Sequence, residues 1–131
     1  MDTGDSRILM LIDDEPAQCR LISALAAREG WRTIVAPDSD TAIALLGTRD
    51  GMQTAAIILD QWVPGDDACQ LIEELKRRRP ALPILMLTTS ASPLLAVEAM
   101  RAGATDYLIK PVAPDRLLEA LRSATEGEKA Q

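Results

Sequence analysis

Short aliphatic runs alternate with helical patterns along the chain. The first run, Ile8–Ile12, precedes a segment in which Leu21 and Leu25 recur at a spacing of four, which is typical of one face of a helix. Gly30 then predicts the end of that helix. Four further runs, each followed by a helical pattern, are Trp31–Ala36, Ala55–Leu59, Ile84–Leu87 and Tyr107–Ile109. Strict alternation of this kind predicts a parallel β-sheet covered by helices on both faces.

The strands and helix starts fit that architecture in detail. Runs that are apolar throughout are typical of strands buried on both faces. Asp38 or Ser39 can cap the second helix, and Ser92 followed by Pro93 predicts the start of the fourth. We expect one domain over residues 7–124, preceded by a short N-terminal extension at 1–6. Residues 125–131 are expected to form a polar tail or the start of a linker.

Composition excludes several kinds of chemistry. The chain has 131 residues, of which 2% are aromatic and none is His. A Ser-His-Asp triad, a Cys-His pair and a His-ligated metal are therefore excluded, as is a phosphohistidine on this chain. Cys19 and Cys69 fit neither a zinc spacing nor a disulfide framework, so we expect free thiols and a reducing cytoplasm.

Charge and hydropathy argue against two kinds of partner. The net charge of −6 disfavours direct binding of nucleic acid or of an anionic membrane surface. The stretch from Pro80 to Val97 carries no charge and is 18 residues long, the lower limit for a membrane span. Pro83 and Pro93 interrupt it, so a strand, a polar loop and a helix start explain it better.

Polar side chains stand where four of the predicted strands end: Asp13 and Asp14, Asp60, Thr88, and Lys110. In a parallel α/β sheet, ligands bind beyond these carboxyl ends. Neighbouring carboxylates repel one another, which makes sense if they hold a hard cation such as Mg²⁺. A carboxylate can itself be the nucleophile, with a Lys and a hydroxyl beside the transferred group. The sequence therefore predicts phosphoryl transfer onto an Asp.

These residues lie in motifs that resemble the receiver domain of bacterial two-component response regulators. The resemblance extends from about Arg7 to Ala124. The motifs, each at a strand end, are Ile12-Asp13-Asp14-Glu15-Pro16, Leu59-Asp60-Gln61-Trp62-Val63-Pro64-Gly65, Leu87-Thr88 and Gly103-Ala104-Thr105-Asp106-Tyr107-Leu108-Ile109-Lys110-Pro111. The resemblance implies a flavodoxin-like, doubly wound (βα)5 fold with strand order 2-1-3-4-5.

The resemblance also implies a metal site. Asp60 corresponds to the phosphoacceptor. Asp14 corresponds to the acidic residue that binds Mg²⁺ directly, and Asp13 to its neighbour that acts through water. The backbone carbonyl of Trp62 is expected to be a further metal ligand.

Three other positions correspond to the family's catalytic and switch residues. Thr88 resembles the hydroxyl residue that moves toward the phosphoryl group, and Lys110 the Lys that pairs with a phosphoryl oxygen. Tyr107 corresponds to the aromatic residue that turns inward with Thr88, although plain packing would require the same residue. The Lys110–Pro111 bond is usually cis in this family.

The function that follows is regulatory. The domain is expected to accept phosphate from a sensor histidine kinase or a histidine phosphotransfer protein, and to catalyse only its own phosphorylation and dephosphorylation. Phosphorylation then changes the face formed by the fourth helix, fifth strand and fifth helix, which contacts a partner or a second copy. Ala68, Thr89 and Trp62 depart from the common family pattern. We expect the large Trp62 to shield the acyl phosphate from water.

Other functions are also conceivable. A haloacid-dehalogenase-like phosphohydrolase also uses an Asp after a buried strand, but Gln61-Trp62 replaces the second Asp expected there. A degenerate receiver could act only as an interaction module, which the complete set of polar residues disfavours. A flavodoxin-like FMN binder would need a phosphate loop rich in Ser, Thr and Gly after the first strand, and none follows it. Asp13 and Asp14 could also be simple helix caps.

Overall fold

Every predicted strand is present in one parallel sheet. The computed structural model describes residues 7–65, 67–89 and 93–129. Its strands are β1 Arg7–Ile12, β2 Trp31–Ala36, β3 Thr54–Asp60, β4 Ile84–Thr88 and β5 Asp106–Ile109. The main helices are α1 Pro16–Ala27, α2 Ser39–Leu46, α3 Ala68–Arg78, α4 Pro93–Ala102 and α5 Pro114–Lys129. A four-residue helix, Arg49–Met52, which the apolar pattern did not predict, lies between α2 and β3.

The strand order is β2-β1-β3-β4-β5, with all neighbouring pairs parallel. This confirms the predicted doubly wound architecture. Alternate residues of each central strand enter two separate cores. On one face, Met10, Ile57 and Met86 pack with side chains of α2, α3 and α4. On the other, Leu11 and Ile58 pack with side chains of α1 and α5. The continuously apolar strands are thus explained by burial on both faces.

Side-chain caps precede three of the main helices, α1, α2 and α3. Glu15 accepts a hydrogen bond from the Gln18 backbone N–H at 2.7 Å, and Asp38 accepts one from Thr41 at the same distance. Asp67 caps α3. These carboxylates satisfy backbone donors that the first helical turn leaves unpaired. The predicted capping residue Ser92 lies outside the described residues, as does the extension at 1–6, and Pro93 is the first residue of α4.

The last helix is longer than the sequence pattern predicts. A polar tail was expected from Thr125, but α5 continues through Lys129. Thr125 is buried, and its hydroxyl donates to the Leu121 carbonyl at 2.9 Å while accepting from Arg7 at 3.5 Å. The Arg7 contact joins the helix to the first residue of β1, and residues 125–129 continue α5 where a polar tail or the start of a linker was expected.

The uncharged stretch around β4 contains a short buried strand. Within the described ranges, none of the helices combines the length and the apolar character needed to cross a bilayer. The stretch divides instead into a buried strand and the beginning of α4, with residues 90–92 between them outside the description.

Candidate functional site

The predicted site residues meet at the carboxyl edge of the sheet because the strand ladder continues slightly beyond the strands. The Gln61 backbone N–H donates to the Leu87 carbonyl at 2.8 Å, and the Lys110 N–H donates to the Thr88 carbonyl at 2.7 Å. The Asp13 N–H likewise bonds to the end of β2. Main-chain hydrogen bonds thus fix where each functional side chain leaves the sheet.

Asp60 is the final residue of β3 and lies 5% exposed at this edge. One carboxylate oxygen, Oδ2, accepts a hydrogen bond from Lys110 Nζ at 2.8 Å. The other, Oδ1, accepts from the Trp62 backbone N–H at 2.8 Å. Asp60 is therefore a buried carboxylate whose charge is compensated and whose orientation is fixed by two short contacts.

Asp13 lies beside Asp60 and is only 1% exposed. Its Oδ1 accepts from the Glu15 backbone N–H at 3.0 Å, whereas no group among the described residues donates to its buried Oδ2. Burial raises the pKa of the Asp13 carboxyl, and the nearby Asp60 charge raises it further, while the Glu15 N–H and Lys110 oppose the shift. A buried, unpartnered carboxylate oxygen is unfavourable unless a cation or water reaches it.

The residues fit a cation that keeps much of its water. Asp14 is exposed at the rim of the site, and the α1 cap is Glu15, so neither Asp13 nor Asp14 is needed as a helix cap. In the described part of the chain, no three Asp, Glu or Cys side chains are arranged as a metal cage. Mg²⁺ does not require such a cage, because proteins usually hold it through one or two carboxylates, with waters and phosphate oxygens as the other ligands. The orphaned Asp13 oxygen is the observation that favours such an ion.

The predicted hydroxyl, Thr88, is the last residue of β4 and is 1% exposed. Its Oγ1 donates to the side-chain Oε1 of Gln61 at 2.5 Å. Gln61 was not among the predicted site residues, and its only sequence signal is its position next to Asp60. Tyr107 is half-buried and packs against the core on the side of α2, α3 and α4.

The loop after Asp60 is fixed to the start of α2. The Ser39 backbone N–H donates to the Pro64 carbonyl at 3.1 Å. Gly65 has a φ of +105°, and a Cβ there would lie 2.5 Å from Ser39 Oγ, so the turn requires glycine. The Trp62 indole is 69% exposed beside this turn. Thr89 is also exposed, and the Lys110–Pro111 bond is cis, as the family resemblance implied.

The edge thus combines a charge-compensated carboxylate, a second buried carboxylate, a Lys and a hydroxyl. This set can accept a phosphoryl group and neutralise its charge. Among the described residues, the groove beside it has a volume of about 270 Å³ and is open to solvent.

Comparisons with known proteins identify the family of the chain. The family model described as "Response regulator receiver domain" matches residues 9–122. The transcriptional regulatory protein ZraR of Salmonella typhimurium is 34% identical over 116 residues, covering 88% of this chain and 26% of ZraR. The nitrogen assimilation regulatory protein NtrX of Azorhizobium caulinodans is 32% identical over 120 residues, covering 90% of this chain and 26% of NtrX.

A solved structure also matches. The receiver domain of NtrX from Brucella abortus superposes with a TM-score of 0.82 and 32% identity, covering 90% of this chain and 98% of that domain. The chain spans about a quarter of the length of the curated relatives that it matches. From its matched residues and its fold, the chain belongs to the response regulator receiver domain family.

Proposed function

We propose that this domain accepts a phosphoryl group on Asp60 from the phosphohistidine of a sensor histidine kinase or a histidine phosphotransfer protein, in a reaction that requires Mg²⁺. The observation that carries the proposal is the 2.8 Å contact between Lys110 Nζ and Asp60 Oδ2 at the buried edge of the sheet. Because these 131 residues include no His, the phosphorylated imidazole must lie outside this domain.

The proposed transfer is a single displacement at phosphorus. An Asp60 carboxylate oxygen forms the new P–O bond while the P–N bond to the partner's imidazole breaks. The leaving imidazole retains one proton and departs neutral. Lys110 lies close enough to Asp60 to pair with an oxygen of the arriving group, which spreads the negative charge.

A Mg²⁺ ion would be held directly by one or two of the carboxylates of Asp13, Asp14 and Asp60 and by the backbone carbonyl of Trp62, with water completing its coordination. When bound, the metal neutralises charge on the phosphoryl oxygens and on the clustered carboxylates. The support for this assignment is the buried Asp13 Oδ2, to which no group among the described residues donates, together with the pKa of the Asp13 carboxyl, which burial raises and the Asp60 charge raises further.

The consequence of phosphorylation is a change in the face of α4, β5 and α5. Thr88 moves toward the phosphoryl group and Tyr107 turns inward with it. This face carries exposed apolar side chains, Leu94, Val97, Met100 and Ile109, which a partner or a second copy of the chain would cover. The proposed role is regulatory signalling in the cytoplasm, and the only reactions catalysed are phosphorylation and dephosphorylation of the domain itself.

Beryllofluoride tests this proposal because it mimics a phosphoryl group on a carboxylate. With Mg²⁺, we expect NMR shifts centred on Asp60, Thr88 and Lys110, extending to Tyr107. The matched variant Asp60→Asn keeps the shape of the side chain and should give no adduct. An unchanged wild-type spectrum would favour the degenerate receiver, and turnover of a generic phosphoester would favour the phosphohydrolase.

A further inference from the structure

Gln61 contacts the switch hydroxyl directly. The Thr88 Oγ1 proton is directed at Gln61 Oε1, 2.5 Å away. Gln61 follows Asp60 in the chain, and its own backbone is fixed by the 2.8 Å hydrogen bond to Leu87. The amide therefore reaches from the end of β3 across to the end of β4 from an anchored position.

This contact competes with the proposed switching movement. A Thr hydroxyl carries one proton and can donate it to one acceptor at a time. In the proposed function, Thr88 donates that proton to a phosphoryl oxygen on Asp60. Since the proton is already directed at Gln61 Oε1, the hydrogen bond between Gln61 and Thr88 must break before the new one forms.

Because Thr88 is buried, its hydroxyl depends on protein groups for a hydrogen-bond acceptor. At 1% exposure, the hydroxyl has little access to bulk water, so its acceptor is supplied by the protein. Gln61 is half-buried and lines the open groove of about 270 Å³ together with Trp62, Met86 and Leu95. Its amide can therefore swing toward the groove when Thr88 leaves, and its polar atoms can then reach solvent.

We propose that Gln61 is a positioning residue that holds Thr88 in its unphosphorylated orientation through the hydrogen bond to Oε1. Gln61 thereby shifts the equilibrium between the unswitched and switched states of the domain toward the unswitched state. This inference rests on the proposed function of Asp60. A hydrogen bond between neutral groups contributes a factor of about threefold to tenfold to such an equilibrium. Removing the Gln61 acceptor should favour the switched state by that factor.

A double-mutant cycle measures the effect. The four proteins are wild type, Gln61→Met, Thr88→Val and the double variant, because Met and Val keep the approximate shapes while removing the polar atoms. The quantity measured is the dissociation constant of beryllofluoride at saturating Mg²⁺. Gln70→Met, on the exposed surface of α3, is the matched control for a Gln-to-Met change away from Thr88.

We expect Gln61→Met to bind beryllofluoride about threefold to tenfold more tightly than wild type, and to have no effect in the Thr88→Val background. Unchanged or weaker binding by Gln61→Met, or the same gain without the Thr88 hydroxyl, would overturn the inference. In those cases wild type still binds, so the proposed function stands. If wild type binds no beryllofluoride, the proposed function fails and this inference fails with it.

The unliganded protein provides a second measurement that needs no phosphoryl mimic. Three-bond couplings to the Thr88 methyl carbon report its χ1 rotamer. We expect one rotamer in wild type and a larger share of other rotamers in Gln61→Met, because the hydrogen bond from Thr88 to Gln61 is gone. A single, unchanged rotamer in both proteins would contradict a holding role for Gln61, whatever the binding data show.

Discussion

Lys110 Nζ lies 2.8 Å from Asp60 Oδ2, although the two residues are 50 positions apart in the chain. The side chains are 19% and 7% exposed, so the pair is neither a solvated surface bridge nor fully enclosed. The sheet creates this contact because β3 and β5 end at the same edge, on either side of β4. Lys110 therefore compensates the Asp60 charge before any phosphoryl group arrives.

Replacing Lys110 by Met should slow phosphorylation of Asp60 by acetyl phosphate by roughly tenfold to a hundredfold. A hydrogen bond to a charged group contributes about 1.5–3 kcal/mol, and here it would act on the arriving negative charge. The measurement is the initial rate of phosphoprotein formation by intact-protein mass spectrometry. Arg49→Met, which removes an exposed cation from the short helix, should leave the rate unchanged. Equal rates for Lys110→Met and wild type would contradict this role.

Asp13→Asn should make the metal-free protein more stable at neutral pH. The folded-state pKa of Asp13 lies above its ordinary value of 3.8, chiefly because of burial. The folded state therefore holds the Asp13 proton more tightly than the unfolded state. As pH rises from the ordinary pKa to the raised folded-state pKa, ionisation of Asp13 lowers the free energy of unfolding. Unfolding free energies of the two proteins should be similar at about pH 3.5 and diverge toward about pH 7.

Mg²⁺ should reverse that difference. An ion that binds only the folded state stabilises it by about 1.4 kcal/mol at ten times its dissociation constant. Wild type should gain this stability at neutral pH, whereas Asp13→Asn should gain much less because it lacks the buried charge. Two results would show that Asp13 does not contribute to metal binding. One is a difference in unfolding free energy between the two proteins that does not change with pH, and the other is an equal increase in stability from Mg²⁺ in both.

Trp62→Asn should shorten the lifetime of the phosphorylated protein severalfold. The Trp62 backbone N–H bonds to Asp60, and its indole stands 69% exposed beside the loop, where it can cover an acyl phosphate that extends outward from the edge. The measurement is the decay of phosphoprotein after acetyl phosphate is removed. An unchanged or longer lifetime would mean that the indole does not shield the phosphate from water.

Gly65→Ala should destabilise the protein by roughly 1–3 kcal/mol. The φ of +105° disfavours any side chain, and the added Cβ would lie 2.5 Å from Ser39 Oγ. Gly47→Ala is the matched control, since its Cβ would meet only ordinary contacts at 3.6 Å. Denaturant unfolding measures both variants. If Gly65→Ala lowers the unfolding free energy no more than Gly47→Ala does, the Ser39 side chain can move away from the added Cβ at little cost.

The parts of the fold that could be predicted are those set by repeated patterns. Continuous apolar runs gave the five strands, and the alternation with helices predicted the parallel sheet, because each signal is summed over many residues. The four-residue helix Arg49–Met52 has too few residues for a period to emerge. Along the extended part of α5, Thr125 contacts Arg7, which is 118 positions away, and no local pattern encodes that contact.

Part of the candidate site could likewise be predicted from the sequence, and part could not. Asp13, Asp60, Thr88 and Lys110 could be placed at one edge because the carboxyl ends of parallel strands coincide. The hydrogen bond between Gln61 and Thr88 could not be predicted, since it depends on the rotamer of a side chain that has no motif of its own. The same holds for the unpartnered Asp13 oxygen, which results from depth of burial rather than from residue type.

The most direct test of the central claim identifies the residue that carries the phosphoryl group. The protein is treated with acetyl phosphate and Mg²⁺ and then with borohydride, which reduces an aspartyl phosphate to homoserine. Peptide mass spectrometry locates the change. We predict homoserine at position 60, and none in Asp60→Asn. Homoserine at another Asp, or at no position in the wild-type chain, would contradict the assignment of Asp60 as the phosphoacceptor.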